Sequence, residues 1–433
     1  MRSFKTRCGR YVSLYLLIFS IWLLSVRPVT AMTMEQAVSL AVTGSPDVQA
    51  SRISEASSKL RLETARKDTW PAITLNGSYL VSSTRDGITD FVGANGSREK
   101  DLTADLIWPI FRGGALLARI DGARAMVKAG LHQTETKRIK TAGITASVFI
   151  RDAGLEQIVK IYSAFVEQLD EHLRKVKIAY QNGTVPEIDV NRATTALDQA
   201  RAKLLSLKED SRKAKEILSI LIDSKTDESL DVSDWSEQSP PLSKDITGLT
   251  EKMANNFPSL KASMARIMAA RASVRVAKAA RLPKIDIIAG TGWQTVDHVR
   301  TNNIGWQAGI AISLPFFDAG LRERELQISR NNLHEKELLK DTVLRHLQQT
   351  LVDDVRLHDR SLYTLRSLNH AVLAARKALR EARAGYREGV LSHLDLMDAW
   401  RTLTDIEVGR WNAMMESKDS FYHITLLTEG VQL

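Results

Sequence analysis

The chain contains the same ordered unit twice. Trp108-Pro109-Ile110-Phe111-Arg112-Gly113-Gly114 returns as Leu314-Pro315-Phe316-Phe317-Asp318-Ala319-Gly320, 206 positions later. The same spacing takes Tyr180-Gln181-Asn182-Gly183 to Tyr386-Arg387-Glu388-Gly389, and Ile188-Asp189 to Leu394-Asp395. Upstream, Pro46 matches Pro258 and Trp70-Pro71 matches Leu282-Pro283, at a spacing of 212. The six-residue difference therefore falls between Pro71 and Pro109. Two copies of one element order must build this molecule, so its function has to be read from one unit used twice.

Residues 1–31 read as an export signal, not as part of that unit. Arg2, Lys5, Arg7 and Arg10 precede an apolar run from Tyr11 to Val26, and Val29-Thr30-Ala31 offers the small residues a signal peptidase accepts. An uncleaved anchor is the alternative, although the run is short for a span, which needs about 17–25 residues. Cleavage takes the formal charge from +9 to +4 and removes Cys8, the only cysteine. The mature chain then uses neither disulfides nor thiol chemistry. Its charges are mixed throughout without a basic patch, which excludes nucleic acid as a partner. Beyond the signal, no stretch is apolar enough for a transmembrane helix. A membrane crossing would have to use strands.

Each half opens with a helical stretch, about 34–70 and 246–281, broken midway by Pro46 or Pro258 and stopped by Pro71 or Pro283. The pattern then becomes alternating. Ile73, Leu75, Gly77, Tyr79 and Val81 interleave with Thr74, Asn76, Ser78 and Leu80. Leu102, Ala104, Leu106 and Trp108 interleave with Thr103 and Asp105. Ile285, Ile287, Ala289 and Trp293 stand against Asp286, Gly290 and Gly292. Ile304, Trp306, Ala308, Ile310, Ile312 and Leu314 stand against Gly305, Gln307, Gly309, Ala311 and Ser313. This predicts β-hairpins over about 72–112 and 284–317, with loops rich in Gly, Asn, Asp and Ser over 82–100 and 297–303.

Alternation over roughly ten residues has the length of a transmembrane β-strand, but half-buried soluble strands look the same. Two hairpins cannot close a barrel, and an open edge in lipid leaves backbone groups unpaired. Either the strands lie outside a membrane, or several chains pool them.

Long helical patterns follow each hairpin. Residues 321–384 lack both proline and glycine, with apolar positions at threes and fours, and a helix of that length reaches about 100 Å. The matching 115–180 stretch is proline-free but softened by Gly122, Gly130, Gly143 and Gly154. Return helices over 187–222 and 392–427 make each outer end an antiparallel helical hairpin. The expected layout is a first repeat over 32–222, an acidic linker over 223–245 ahead of or around Pro240-Pro241, and a second repeat over 246–433.

Taken together, the duplicated proline-stopped helix, β-hairpin, long helix, Tyr-x-x-Gly turn and return helix resemble the TolC-like family of outer-membrane channel-tunnels. The resemblance covers essentially the whole mature chain, and it rests on the passages around Pro109 and Pro315, Tyr180-x-x-Gly183 with Asp189, and Tyr386-x-x-Gly389 with Asp395 and Asp398. It implies a mainly α fold with transmembrane β: a homotrimer whose four strands per chain close a twelve-stranded barrel, continued by an α-helical periplasmic tunnel. It also implies outer-membrane lipid around the barrel, and partners at the far tip: a periplasmic adaptor (membrane fusion) protein and an inner-membrane pump or secretion ATPase. Thr74, Asn76, Ser78, Asp105 and Gln307 would face the lumen.

At the tip the resemblance makes Tyr386, Asp395 and Asp398 aperture candidates, since family members narrow the entrance with carboxylates at the matching positions. Around a threefold axis six carboxylates repel, bind cations and must be held by neighbours. The family's latch arginine is absent, with Val390-Leu391 in its place, and Arg192 replaces the second carboxylate in the first half. A capping box Ser392-x-x-Asp395 is the competing role for Asp395, and Thr184 with Glu187 could cap the first return helix.

No motif supplies catalysis. There is no phosphate loop, no HExxH and no usable cysteine nucleophile. His334, His346, His358 and His370 recur every twelve residues, but on a helix that puts neighbours about 18 Å apart, too far to share a metal. The reading is thus a passive exit duct that needs no cofactor and draws its energy from a partner. A soluble periplasmic coiled-coil adaptor or scaffold is the alternative.

Overall fold

The structure, a computed structural model, describes residues 32–82, 97–223, 245–296 and 301–431. The export signal with Cys8, most of the acidic linker and the tips of both β-hairpins lie outside the described residues.

The first half runs α1 (Met34–Gly44), α2 (Pro46–Lys67), β1 (Ala72–Ser82), β2 (Ser97–Phe111), α3 (Ala115–Gln181) and α4 (Glu187–Ile222). The second repeats it as α5 (Ile246–Asn256), α6 (Pro258–Ala279), β3 (Lys284–Val296), β4 (Thr301–Ser313), α7 (Leu321–Arg387) and α8 (His393–Thr428). Matching helices have identical lengths of 11, 22, 67 and 36 residues. Element starts differ by 212 up to the first strand of each half and by 206 from the long helix onward, so the extra residues sit between the starts of β1 and α3.

Local chemistry explains the breaks. Pro46 and Pro258 stand at the first position of α2 and α6, where the missing N–H costs nothing. Both strand-to-helix junctions end on a left-handed glycine, Gly114 (φ +83°) and Gly320 (φ +82°), which caps the following long helix. The helices α2 and α6 stop earlier than the prolines suggest, at Lys67 and Ala279, because a tight turn comes first, bonding Trp70 N–H to the Lys67 carbonyl and Leu282 N–H to the Ala279 carbonyl.

Two further differences from the sequence reading are informative. The strand β4 ends at Ser313, short of the expected 317, while β2 continues to Phe111 because its pairing with β3 runs on past its last partner in β1, at Ile107. The glycines of α3 do not interrupt it. They are contact points: a Cβ at Gly122 would lie 3.2 Å from the Ala272 methyl, and one at Gly130 3.4 Å from the backbone of Glu55.

The strands form one antiparallel sheet in the order β1-β2-β3-β4, with β1 and β4 as open edges. Below it, α3/α4 and α7/α8 fold back as antiparallel hairpins, and α3 packs on α8 to join them. The short helices brace this wall. Val38 and Val42 of α1, Met253 of α5, Leu351 of α7 and Ile424 of α8 meet Ile139 and Ala142 of α3 in the largest buried cluster. At about 1.5–3 kcal/mol per fully buried large side chain, that belt ties the two halves together. Among the described residues no helix is long and apolar enough to cross a membrane.

Candidate functional site

Strand register sorts the sheet into two faces. Thr74, Asp105, Gly290 and Gln307 lie in one row, each the registered partner of the next. The adjacent row of the same face is Asn76, Thr103, Gly292 and Gly305, and Ser78 pairs with Asp101 in the row beyond. Within it the Asp105 carboxylate accepts from Asn76 Nδ2 and Thr103 Oγ1, both at 3.1 Å. The glycines leave room for this: a Cβ at Gly290 would sit 2.9 Å from Asp105 Oδ1. Nearer the helices, Arg112 pairs with Asp286 at 2.7 Å. All five residues expected to face a lumen therefore share one polar face. The opposite face carries Ile73, Leu75, Trp306 and Ile304, exposed by 71–83%.

At the far end, each long helix stops on a left-handed glycine, Gly183 (φ +73°) or Gly389 (φ +74°), within Tyr-x-x-Gly. The Gly183 N–H bonds to the Tyr180 carbonyl at 2.9 Å, and Gly389 to Tyr386 at 3.3 Å. The return helices then start differently. Ser392 caps α8: its Oγ accepts from Asp395 N–H at 3.2 Å, while Asp395 Oδ2 accepts from Ser392 N–H at 2.9 Å and from its hydroxyl at 2.6 Å. These bonds hold the Asp395 carboxyl below the usual range. The first hairpin departs from expectation. Pro186, not Thr184, is the N-cap of α4 and offers no side-chain cap, and Thr184 Oγ1 donates to the Ala179 carbonyl at 2.8 Å, serving the end of α3 instead.

The aperture candidates have separate partners within the protomer. Asp395 is engaged by Ser392. Asp398 pairs with Arg401 at 2.7 Å and lines a groove of about 540 Å³ between α3, α4 and α8, together with its first-half counterpart Arg192. Tyr386 is half-buried and packs edge-on against His172, ring centroids 5.6 Å apart. Burial, then the Asp189 charge, pushes its hydroxyl pKa up.

Sequence reading missed the group that Tyr386 joins. His172 of α3 and His393 of α8 are 3% and 7% exposed, and His172 Nε2 lies 2.5 Å from His393 Nδ1. Their rings are 10° from parallel with centroids 4.6 Å apart, and Trp400 meets His172 edge-on at 5.2 Å. Leu169, Leu173, Leu197, Leu379 and Leu396 close around them. Burial, then His393 and Lys175, pull His172 from 6.5 down to about 4. Burial also lowers His393, with Asp189 opposing and Arg192 assisting. The two residues are 221 positions apart and on different hairpins, so the only signal was His393 beside a capping serine. Of the evenly spaced histidines, His358 is wholly buried against the Ser417 carbonyl, and His334, His346 and His370 are exposed.

The family model for outer membrane efflux proteins matches residues 37–222 and 249–407, and the chain belongs to that family. It is 25% identical over 293 residues to the toluene efflux pump outer membrane protein TtgF of Pseudomonas putida, covering 65% of this chain and 59% of TtgF. Its match to the outer membrane protein TolC of Salmonella enteritidis is 23% over 371 residues, 82% of this chain and 73% of TolC. In fold it is similar to crystal structures of CusC (TM-score 0.81, 16% identity, 92% of each chain) and of the outer membrane protein VceC from Vibrio cholerae (0.79, 18%, 92% of this chain and 96% of VceC). These are TolC-type channels, and the chain is an outer-membrane protein with their arrangement of strand hairpins and long helices.

Proposed function

We propose that three copies of this chain form a passive exit duct across the outer membrane and periplasm. The observation that carries it is a four-stranded sheet with two open edges, one polar face and one exposed apolar face, standing on a wall of 67-residue helices. A free edge cannot persist in lipid, and three sheets joined edge to edge close a twelve-stranded barrel with no edge left. The apolar face then meets lipid, and the rows through Asp105 and Gln307 line the lumen. The exposed Tyr363 and Leu373 of α7, 75% and 67%, are covered by a neighbouring protomer. Segments 32–222 and 246–433 act as the two repeats, with 223–245 as the hinge between them.

The duct performs no chemistry of its own. Energy comes from an inner-membrane pump or secretion ATPase reached through a periplasmic adaptor at the tip. Because TtgF is an efflux-pump component, a tripartite efflux pump exporting small molecules is preferred over type I secretion. The carboxylates of Asp395 and Asp398 form the aperture, with Tyr386 packing the turn that carries them.

Single-channel conductance of the purified protein in planar bilayers tests this, using Asp395→Asn with Asp398→Asn so that the cap keeps an acceptor. Cation-selective pores that lose cation block in the double variant support duct and aperture. Unchanged pores remove the aperture role, and a folded protein that forms no pores removes the duct.

A further inference from the structure

We propose that the His172–His393 pair is an acid-released latch, holding the α7–α8 turn and its aperture candidates against α3. The latch deepens the duct reading and rests on it for its consequence, the width of the entrance.

A bond between two imidazole nitrogens needs one N–H and one lone pair. At neutral pH each ring carries one proton, and the 2.5 Å contact is satisfied. One added proton can be accommodated in that bond, but two leave N–H facing N–H. The surroundings resist even the first. Tyr386 and Trp400 both meet His172 in edge-type contacts, and with the ring only 3% exposed little water is left to solvate an imidazolium. His393 occupies the first position of α8, where the helix dipole disfavours a cation, and its Nε2 is buried without a hydrogen-bond partner among the described residues.

The charged groups facing the pair come from every neighbouring helix. Lys175 of α3 and Arg192 of α4 repel a proton, whereas Asp189 of α4 favours one at His393. From α7, Tyr386 supplies a neutral hydroxyl, and Arg383 sits 5.9 Å over the Trp400 ring, adding a further positive charge beside the cluster.

Acid relieves this by separation. His172 lies in the body of α3, fixed by Leu169 and Leu173, but His393 follows a turn built on Gly389. The turn moves, and Tyr386, Asp395 and Asp398 move with it. The sign follows from linkage. A base whose affinity for protons is depressed in the held state loses that state as pH falls from its free value of 6.5 to about 4, and below that its contribution no longer changes. Within the window, the released-to-held ratio rises about tenfold per pH unit for each protomer.

The test records conductance of the full-length protein from pH 7, above that linkage window, down to about pH 4.5, well inside it. The wild type is compared with His172→Phe/His393→Phe, which keeps the aromatic volume, and with His172→Lys, which fixes a charge. Hydrogen exchange across 386–396, corrected for the intrinsic pH effect, reads release without a bilayer. The wild type should open and lose protection on acidification, the double Phe variant should lose that step, and the Lys variant should be released at pH 7. A double Phe variant with the wild-type step, or no change in exchange across 386–396, overturns the latch. Acid release of that segment in a folded protein that forms no pores would instead overturn the duct and leave the latch standing.

Discussion

The helices α3 and α7 have the same length and the same place in the repeat, yet they live in different surroundings. In the protomer α3 packs against α1, α2, α4, α6 and α8, while α7 packs against α5, α6 and α8. Their sequences follow that difference. Ala146 of α3 is wholly buried, and its counterpart Val352 is 36% exposed; Gly122 faces Ala272, and its counterpart Ile328 is 52% exposed. The copy at the centre has shrunk its side chains to let other helices approach. The copy at the edge carries large apolar ones on a surface that the proposed trimer covers with a neighbouring chain. Duplication supplied the element order, and the residues each copy carries follow its position in the protomer.

One pair of equivalent positions breaks the rule, and it offers the largest effect. Asp152 and His358 are both 0% exposed. His358 Nδ1 donates to the Ser417 carbonyl at 3.1 Å, whereas neither Asp152 oxygen has a hydrogen-bond partner among the described residues. Burial, then Glu156, pushes Asp152 from 3.8 up to about 6, with Lys215 opposing. An acid raised in this way keeps its proton in the folded chain while the unfolded chain releases it. The resulting penalty is absent below 3.8, grows between 3.8 and about 6, and is complete above. Asp152→Asn should therefore raise stability by up to about 3 kcal/mol at pH 8, with the gain gone by pH 4. Urea midpoints across that range check it, and a pH-independent difference would sink it.

The next test separates centre from edge directly. A Cβ at Gly154 would fall 2.0 Å from Met415 Sδ, so this glycine sets the approach of α3 to α8, while its counterpart Arg360 has a 70% exposed side chain. Gly154→Leu should lose about 1–2 kcal/mol, the overpacking cost being partly offset by the helix propensity that glycine lacks. Arg360→Leu should stay within about 0.5 kcal/mol in the protomer. Equal effects on thermal unfolding would show that the two helices are packed alike.

The comparison also explains what was legible beforehand. Proline positions, period-two alternation and the 206-residue offset are local or repeated signals, and they carried the element order, both sheet faces and the Tyr-x-x-Gly turns. Contacts between hairpins leave no such trace. Gly154 reads as a weak point in a helix until Met415 is placed beside it. The His172–His393 pair is likewise invisible until α3 and α8 are docked. Asp395 was legible as a cap because its partner is three residues away, but whether it also faces a pore depends on chains that no single sequence places.

The smallest effect lies where the two return helices begin. Pro186 and Ser392 are equivalent and have nearly the same backbone, φ −78°, ψ 158° against φ −75°, ψ 161°. Asp189 stands where Asp395 stands, so the first hairpin has the acceptor of a capping box but lacks both the hydroxyl and the backbone N–H that Ser392 supplies. Ser392→Ala should cost about 1 kcal/mol, by removing the acceptor for the Asp395 N–H. Pro186→Ser should build the missing box and gain a similar amount. Against that gain, the unfolded chain recovers freedom worth about 0.4–1 kcal/mol when proline is lost, so the net change should be a few tenths at most. Amide exchange at the first turn of α4 isolates the local part: slower exchange there with little change in global stability would show that the first hairpin traded a cap for a stiffer turn, and unchanged exchange would show that Asp189 is held elsewhere.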